Sequence, residues 1–215
     1  MKDKINAFIM GDSYSTYEGY IPEGYPFYYS DKRKENPIVK GAEKTWWGML
    51  EKKANVNIVF NDSYSGSTIC NTVRKNFPVE SSFVNRIDKY ISQNVFTEEQ
   101  IDTMLIFGGT NDSGIDAPFG KLTYSDWDDE ALKCILPAFC YLIDRAKKVC
   151  KDVIVIINTG LKQEITKGFI EACEKNKVRY VYLKEINKEN GHPTALGMEQ
   201  IFEQVMECLH IKEKI

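Results

Sequence analysis

Five short, mainly apolar runs constrain the fold of this chain more than any other feature of its sequence. Each is four or five residues long and rich in β-branched and aromatic residues, and the first four stop at glycine or asparagine. The runs span residues 7–10, 56–60, 104–107, 153–157 and 180–183. Continuous apolar runs of this length are typical of strands that are covered on both faces, as in a parallel sheet.

Between the runs lie segments in which apolar residues recur every three or four positions, as on one face of a helix. They begin near residue 46 and continue with 83–91, 132–146, 165–173 and 198–209. Strands that alternate with helices predict a three-layer α/β/α sandwich around a five-stranded parallel sheet. Because no repeat, low-complexity tract or linker interrupts the pattern, we expect a single domain over residues 1–215.

Charge and composition exclude several classes of function. The net charge is −3 and the pI is about 5.6, which argues against a nucleic-acid partner because such proteins usually present a basic face. No apolar stretch is long enough to span a bilayer. The apolar segment that ends at Met10 is too short for the core of a signal peptide, so we expect a cytoplasmic protein.

The cysteines and histidines give no sign of a metal site. The six cysteines show no CxxC spacing, and the only histidines are His192 and His210. We therefore expect free thiols, no metal and no cofactor. His210, near the C-terminus, is expected to lie on the surface.

One long segment does not follow the strand–helix alternation. Residues 14–45 are rich in glycine, proline, tyrosine and charge, and segments of this kind are usually functional or disordered. We interpret them as an insert beside an active site in which Tyr14, Tyr17 and Tyr20 contact the substrate. The alternative is that these aromatic side chains pack the insert onto the body of the protein. Trp46 and Trp47 are expected in the core.

Polar residues follow four of the strands and should meet at one edge of a parallel sheet. Ser13, Gly66, Asn111 and His192 are the residues in these loops that suit acyl transfer. A serine hydroxyl needs an adjacent base, which histidine supplies near neutral pH. The backbone N–H groups of Ser13 and Gly66 and the Asn111 amide would then face the oxyanion of the tetrahedral intermediate.

The order of these loops resembles the conserved blocks of the SGNH (GDSL-like) hydrolases. Residues 11–15 (GDSYS) resemble the first block, Gly66 the second, residues 109–112 (GTND) the third, and His192-Pro193 the fifth. The resemblance implies a flavodoxin-like fold and no cofactor. It also implies Ser13 as nucleophile, His192 as base, and an oxyanion hole formed by Ser13, Gly66 and Asn111.

The chain departs from this family at one position. Three residues before the histidine the family usually has an aspartate, and here the residue is Glu189. Either Glu189 is the third catalytic residue, or a backbone carbonyl orients His192 instead. Three other acids at strand ends, Asp12, Asp62 and Asp112, are expected to brace loops by accepting hydrogen bonds from backbone N–H groups.

The sequence therefore predicts a serine esterase that acts on a small-molecule ester. The favoured substrate carries a small acyl group, such as acetyl on a carbohydrate. A thioesterase or lysophospholipase activity would use the same residues, and a non-catalytic binding protein could use the same scaffold. The oligomeric state stays open.

Overall fold

The central element of the computed structural model, which describes residues 4–32 and 39–209, is a sheet of five parallel strands. These are β1 (Ile5–Gly11), β2 (Val56–Ser63), β3 (Thr103–Phe107), β4 (Asp152–Ile157) and β5 (Arg179–Tyr182). Their order across the sheet is β2-β1-β3-β4-β5, which is the flavodoxin-like order. Each strand contains or overlaps one of the apolar runs, so the predicted fold class is confirmed.

Helices cover both faces of the sheet, because successive side chains of a buried strand point to opposite sides. In β1, Phe8 and Met10 belong to one core and Ala7 and Ile9 to the other. The helices of eight or more residues are α1 (Trp46–Lys53), α2 (Phe83–Ser92), α5 (Ile135–Val149), α6 (Gln163–Asn176) and α7 (Ala195–Leu209). Two short helices, α3 (Val95–Glu98) and α4 (Thr110–Gly114), flank β3. Helices α2, α5 and α6 contribute to the first core, and α1 and α7 to the second.

The start of α5 differs from the predicted helix, which included Leu132. That residue lies in a separate 3-10 turn, Ala131–Lys133, and α5 begins at Ile135. The backbone of Cys134 is extended, with φ −99° and ψ 137°. An extended residue cannot continue the helical hydrogen-bond ladder, so the two segments are distinct although their apolar spacing is continuous.

The predicted insert contains little regular structure. Between Tyr14 and Gly41, the described residues contain no helix or strand apart from an isolated bridge between Tyr17 and Tyr29; residues 33–38, like His210, lie outside the described residues. Trp46 and Trp47 are buried, as predicted. The indole N–H of Trp47 donates to the carbonyl of Ser15 over 2.9 Å, so the start of α1 holds the beginning of the insert.

A two-stranded ribbon follows β5 and was not predicted. It consists of β6 (Lys188–Glu189) and β7 (His192–Pro193), which pair antiparallel. Throughout the described part of the chain, no helix is long and apolar enough to cross a membrane. The same residues contain no cluster of three or more His, Cys, Asp or Glu side chains that could hold a metal ion.

Candidate active site

Ser13 lies in a tight turn directly after β1. The turn is closed by the backbone N–H of Ser15, which donates to the carbonyl of Asp12 over 3.1 Å. A Cβ at Gly11 would lie 2.4 Å from Oγ of Ser63, so only glycine fits where the chain enters the turn. Ser13 is 6% exposed, which leaves its hydroxyl in a largely desolvated position.

The ribbon places His192 against Ser13. Asn190 and Gly191 have φ values of 49° and 77°, and positive φ at both central residues is what a type I′ hairpin turn requires. Nε2 of His192 lies 2.9 Å from Oγ of Ser13 across a sequence separation of 179 residues. This is the distance expected of a nucleophile and its base.

The other ring nitrogen of His192 faces the backbone. Nδ1 lies 3.2 Å from the carbonyl oxygen of Asn190. Glu189 lies opposite His192 in the ribbon and is exposed. The structure thus shows a backbone carbonyl at Nδ1, and the assignment of Glu189 as third catalytic residue stays a prediction.

Two tyrosines of the insert hold the ribbon by its carbonyl groups. The hydroxyl of Tyr14 donates to the carbonyl of Gly191 over 2.6 Å, and that of Tyr29 donates to the carbonyl of Pro193 over 2.8 Å. Burial raises the pKa of Tyr14 to about 12, so its hydroxyl remains a donor at any physiological pH. The ring of Tyr28 lies flat against the imidazole of His192, with centroids 3.4 Å apart and planes 8° from parallel.

A lysine connects the ribbon to the end of β4. Nζ of Lys188 donates to Oγ1 of Thr159 over 2.7 Å and to Oδ1 of Asn158 over 3.0 Å. Desolvation lowers the pKa of Lys188, while these two acceptors and the carbonyl of Thr159, at 3.2 Å, satisfy its three donors. The ribbon is therefore fixed from the insert on one side and from the sheet on the other.

The other two tyrosines predicted to bind substrate have different positions. Tyr17 is buried, and its hydroxyl donates to Oδ1 of Asp31 over 2.8 Å and accepts from the N–H of Gly41 over 2.7 Å. Tyr20 is 56% exposed and packs on Tyr17 and Trp47. Tyr17 thus braces the insert internally, and substrate contact by Tyr14, Tyr17 or Tyr20 stays a prediction.

The amide of Asn111, in α4, has a defined orientation. Nδ2 donates to the carbonyl of Ser67 over 2.8 Å, and Oδ1 accepts from the guanidinium of Arg74 over 3.3 Å. An amide nitrogen carries two hydrogens, so one remains for an oxyanion. Gly66 has φ 90°, and a Cβ there would lie 2.7 Å from the ring of Phe77. Backbone conformation and space thus both require glycine at this position.

Two of the three acids expected to brace loops do so. Asp12 accepts from the N–H of Tyr14 over 3.0 Å, and Asp112 accepts from those of Ile69 and Cys70 over 2.9 and 3.1 Å. Both carboxyl groups are fully buried, and desolvation raises the pKa of Asp12 to about 7 and that of Asp112 to about 6. The expected bracing role is confirmed for these two residues.

Asp62 has a different partner from the one predicted. It forms a buried ion pair with Arg86 at 2.5 Å and accepts from the hydroxyl of Tyr90 over 2.9 Å. Arg86 also donates to the carbonyl of Gly11 over 3.2 Å and to Oγ of Ser67 over 3.3 Å. Through these contacts the ion pair connects α2 to the carboxyl ends of β1 and β2.

Sequence reasoning missed two arginines around the site, Arg74 and Arg86, and it placed Tyr28 only among the aromatic residues of the insert, without its contact to His192. Tyr28 lies in a segment without periodicity, and the two arginines look like ordinary surface charges in the sequence. The ribbon that carries His192 was also missed, although the sequence contained a usable signal for it: the Asn190-Gly191 pair favours a two-residue hairpin turn.

Comparison with known proteins gives a consistent set of relatives. The sequence model of the GDSL-like lipase/acylhydrolase family matches residues 5–209. A structure described as that of a GDSL-like lipase from Bacteroides uniformis is 33% identical, with a TM-score of 0.87 and coverage of 97% of each chain. A second, from Bacteroides ovatus, is 32% identical, with a TM-score of 0.86 and coverage of 97% of this chain and 99% of its own.

More distant structures share the fold alone. A catalytic mutant of an acetylxylan esterase from Geobacillus stearothermophilus is 12% identical, with a TM-score of 0.57 and coverage of 99% of this chain and 97% of its own. No curated protein matches the chain.

Proposed function

Because the chain belongs to the GDSL-like lipase/acylhydrolase family, it is an ester-hydrolysing serine hydrolase, and we propose that Ser13 is its nucleophile and His192 its general base. The observation that carries this assignment is the 2.9 Å contact between Oγ of Ser13 and Nε2 of His192. These are the two groups that a serine hydrolase must bring within hydrogen-bond reach.

The reaction proceeds through an acyl-enzyme. Oγ of Ser13 attacks the ester carbonyl while Nε2 of His192 accepts the hydroxyl proton, and the imidazolium then protonates the leaving alcohol. A water molecule, deprotonated by His192, hydrolyses the acyl-enzyme. The oxyanion of each tetrahedral intermediate accepts hydrogen bonds from the N–H groups of Ser13 and Gly66 and from the Asn111 amide.

The Asn190 carbonyl selects the imidazole tautomer that this reaction needs. A carbonyl oxygen only accepts, so Nδ1 of His192 carries the proton and donates across the 3.2 Å contact. Nε2 then has its lone pair free to accept the proton of Ser13. In this proposal the backbone performs the orienting part of the role that an aspartate has in a Ser-His-Asp triad.

We propose an ester of a small acyl group, such as acetyl on a carbohydrate, as the substrate. The support comes from the insert, which carries the exposed ring of Tyr20. Aromatic rings with a polar tip suit contact with sugar rings. A thioesterase or lysophospholipase would instead prefer long acyl chains.

The test compares the wild type with Ser13→Ala on p-nitrophenyl acetate, butyrate and decanoate, a long-chain acyl-thioester and acetylated xylo-oligosaccharides. Ser92→Ala, which removes a surface hydroxyl at the end of α2, is the matched control. We expect the wild type and Ser92→Ala to turn over the acetyl esters, and Ser13→Ala to lose at least about 10³-fold in kcat. Full activity of Ser13→Ala would exclude Ser13 as the nucleophile. A preference of the wild type for the decanoate ester or the thioester would overturn the substrate assignment.

A further inference from the structure

We propose that Tyr28 is a positioning residue for His192 and stabilises its imidazolium form, a role that a carboxylate usually has in this chemistry. The inference rests on the proposed function, because it concerns how the proposed base is held. Its starting point is the flat stack of the two rings, with centroids 3.4 Å apart and planes 8° from parallel. The hydroxyl-bearing ring comes from the insert, whose neighbouring residue Tyr29 also holds the ribbon of His192.

The stack closes a ring of contacts that begins and ends at Ser13. The hydroxyl of Thr16 donates to the carbonyl of Ser13 over 3.1 Å and accepts from the backbone N–H of Tyr28 over 2.8 Å. The ring of Tyr28 covers the imidazole of His192, and Nε2 of that imidazole returns to Oγ of Ser13 over 2.9 Å. The nucleophile, the base and Tyr28 therefore share one frame.

Neighbouring contacts keep both partners of the stack in place. Tyr29 packs edge-on against Tyr28, with centroids 5.0 Å apart and planes at 79°, and donates its hydroxyl to the carbonyl of Pro193. The insert thus holds both the ring that stacks and the residue that follows His192. A rotation that turned the imidazole away from its parallel position over the ring of Tyr28 would break the stack. It would also break the contact between Nε2 of His192 and Oγ of Ser13.

The stack also acts on the charge that develops during the reaction. His192 becomes a cation when it accepts the proton of Ser13, and the face of a tyrosine ring attracts a cation within about 6 Å of its centroid. The neutral imidazole has no net charge to be attracted in this way. Tyr28 therefore stabilises the imidazolium more than the resting base, which is the condition for lowering the barrier.

Three other described side chains lie near the imidazole or in the ribbon that carries it. Tyr14 packs against His192 at a centroid distance of 5.4 Å and with planes tilted by 54°. Glu189 lies directly opposite His192 in the ribbon but is exposed, so solvent weakens its interaction with a charge on the imidazole. The ammonium of Lys188 lies over the ring of Tyr14, 5.4 Å from its centroid, and donates to Oγ1 of Thr159 after the end of β4.

The experiment measures kcat and KM of Tyr28→Phe and Tyr28→Leu on p-nitrophenyl acetate between pH 5 and 9. Tyr28→Phe keeps the aromatic face, and we expect kcat within about 3-fold of the wild type. For Tyr28→Leu we expect kcat to fall about 10- to 100-fold with little change in KM. We also expect the acidic limb of its profile to move down by about 0.5 to 1 pH unit, because the imidazolium loses its aromatic partner. Phe27→Leu, at the exposed neighbouring position, is the matched control.

A second measurement does not depend on turnover. The pKa of His192 is titrated by NMR in Ser13→Ala and in the double variant with Tyr28→Leu, or with Tyr28→Gln if Tyr28→Leu does not fold. A lower pKa of His192 in the double variant supports the inference. An unchanged pKa together with wild-type kcat in Tyr28→Leu would overturn the role of Tyr28 while Ser13→Ala, if inactive, still supports the proposed function. Activity that survives Ser13→Ala would overturn both.

Discussion

Backbone carbonyls orient two of the side chains proposed to act in the reaction. The carbonyl of Asn190 faces Nδ1 of His192, and the carbonyl of Ser67 accepts from Nδ2 of Asn111. The guanidinium of Arg74, which can only donate, lies on Oδ1 of Asn111, so the two ends of the amide cannot exchange. Each side chain thus has a defined orientation to which a backbone carbonyl contributes.

This arrangement predicts a small effect of Glu189→Gln. The carboxylate is exposed and the Asn190 carbonyl already holds Nδ1, so we expect kcat to fall less than about 10-fold. Removal of the aspartate of a Ser-His-Asp triad costs about 10⁴-fold. The measurement is kcat on p-nitrophenyl acetate, with the exposed Glu199→Gln as control. A loss of 10³-fold or more would identify Glu189 as the third catalytic residue. It would also show that the Asn190 carbonyl is not sufficient to orient His192.

At the scale of elements, the sequence predicted those parts that bury regular apolar faces. Strands such as β4 and helices such as α7 appear as apolar patterns because packing on two sides requires them. The ribbon that carries His192 has only two residues in each strand and no apolar run, so no periodicity could reveal it. The stack of Tyr28 on His192 depends on the path of an irregular insert, which local sequence does not determine.

From the turn of the ribbon we predict that backbone strain at Gly191 lowers activity more than the same strain elsewhere in the chain does. Gly191 has φ 77° and open space around its Cβ position, so Gly191→Ala introduces strain of about 1–2 kcal/mol without a clash. We expect this strain to shift the turn and lower kcat about 10-fold through the position of His192. Gly19→Ala, with φ 82° and equally open space, carries the same strain elsewhere. Thermal melts and kcat of both variants are compared; equal loss of activity in the two would refute a specific role of the turn.

For the molecule as a whole, the burial of ionisable side chains beneath the site is the feature that could not be predicted from the sequence. Asp12 and Asp62 at strand ends, Asp112 in α4 and Arg86 in α2 are almost completely buried. In the sequence they resemble polar loop residues, because their burial is produced by the packing of α2 and neighbouring loops against the sheet. The expected bracing role held where backbone N–H groups were near, and it failed for Asp62 because Arg86 reaches it from another element.

The buried carboxyl of Asp12 links the stability of the whole protein to pH. Its pKa is about 7 in the folded state against an ordinary value of 3.8, because burial disfavours the charged form. Between about pH 4 and pH 7 the folded protein therefore keeps a proton that the unfolded chain has lost. Stability from this group is fully present below pH 4 and decreases as pH rises through that window, by at most about 1.4 kcal/mol per pH unit.

Asp12→Asn removes this titration while keeping the shape of the side chain. We expect urea unfolding at pH 5, 6, 7 and 8 to show a free energy of unfolding that falls less with rising pH in the variant than in the wild type. The difference in favour of the variant should grow by about 2.5 kcal/mol over this range. Asp112 titrates in both proteins, and because its charge repels that of Asp12, the loss of this repulsion is part of the measured difference; Asp129→Asn at an exposed position controls for the loss of one charge. Parallel curves for wild type and Asp12→Asn would show that Asp12 is ionised in the folded protein throughout, and that its buried charge is compensated by the groups around it.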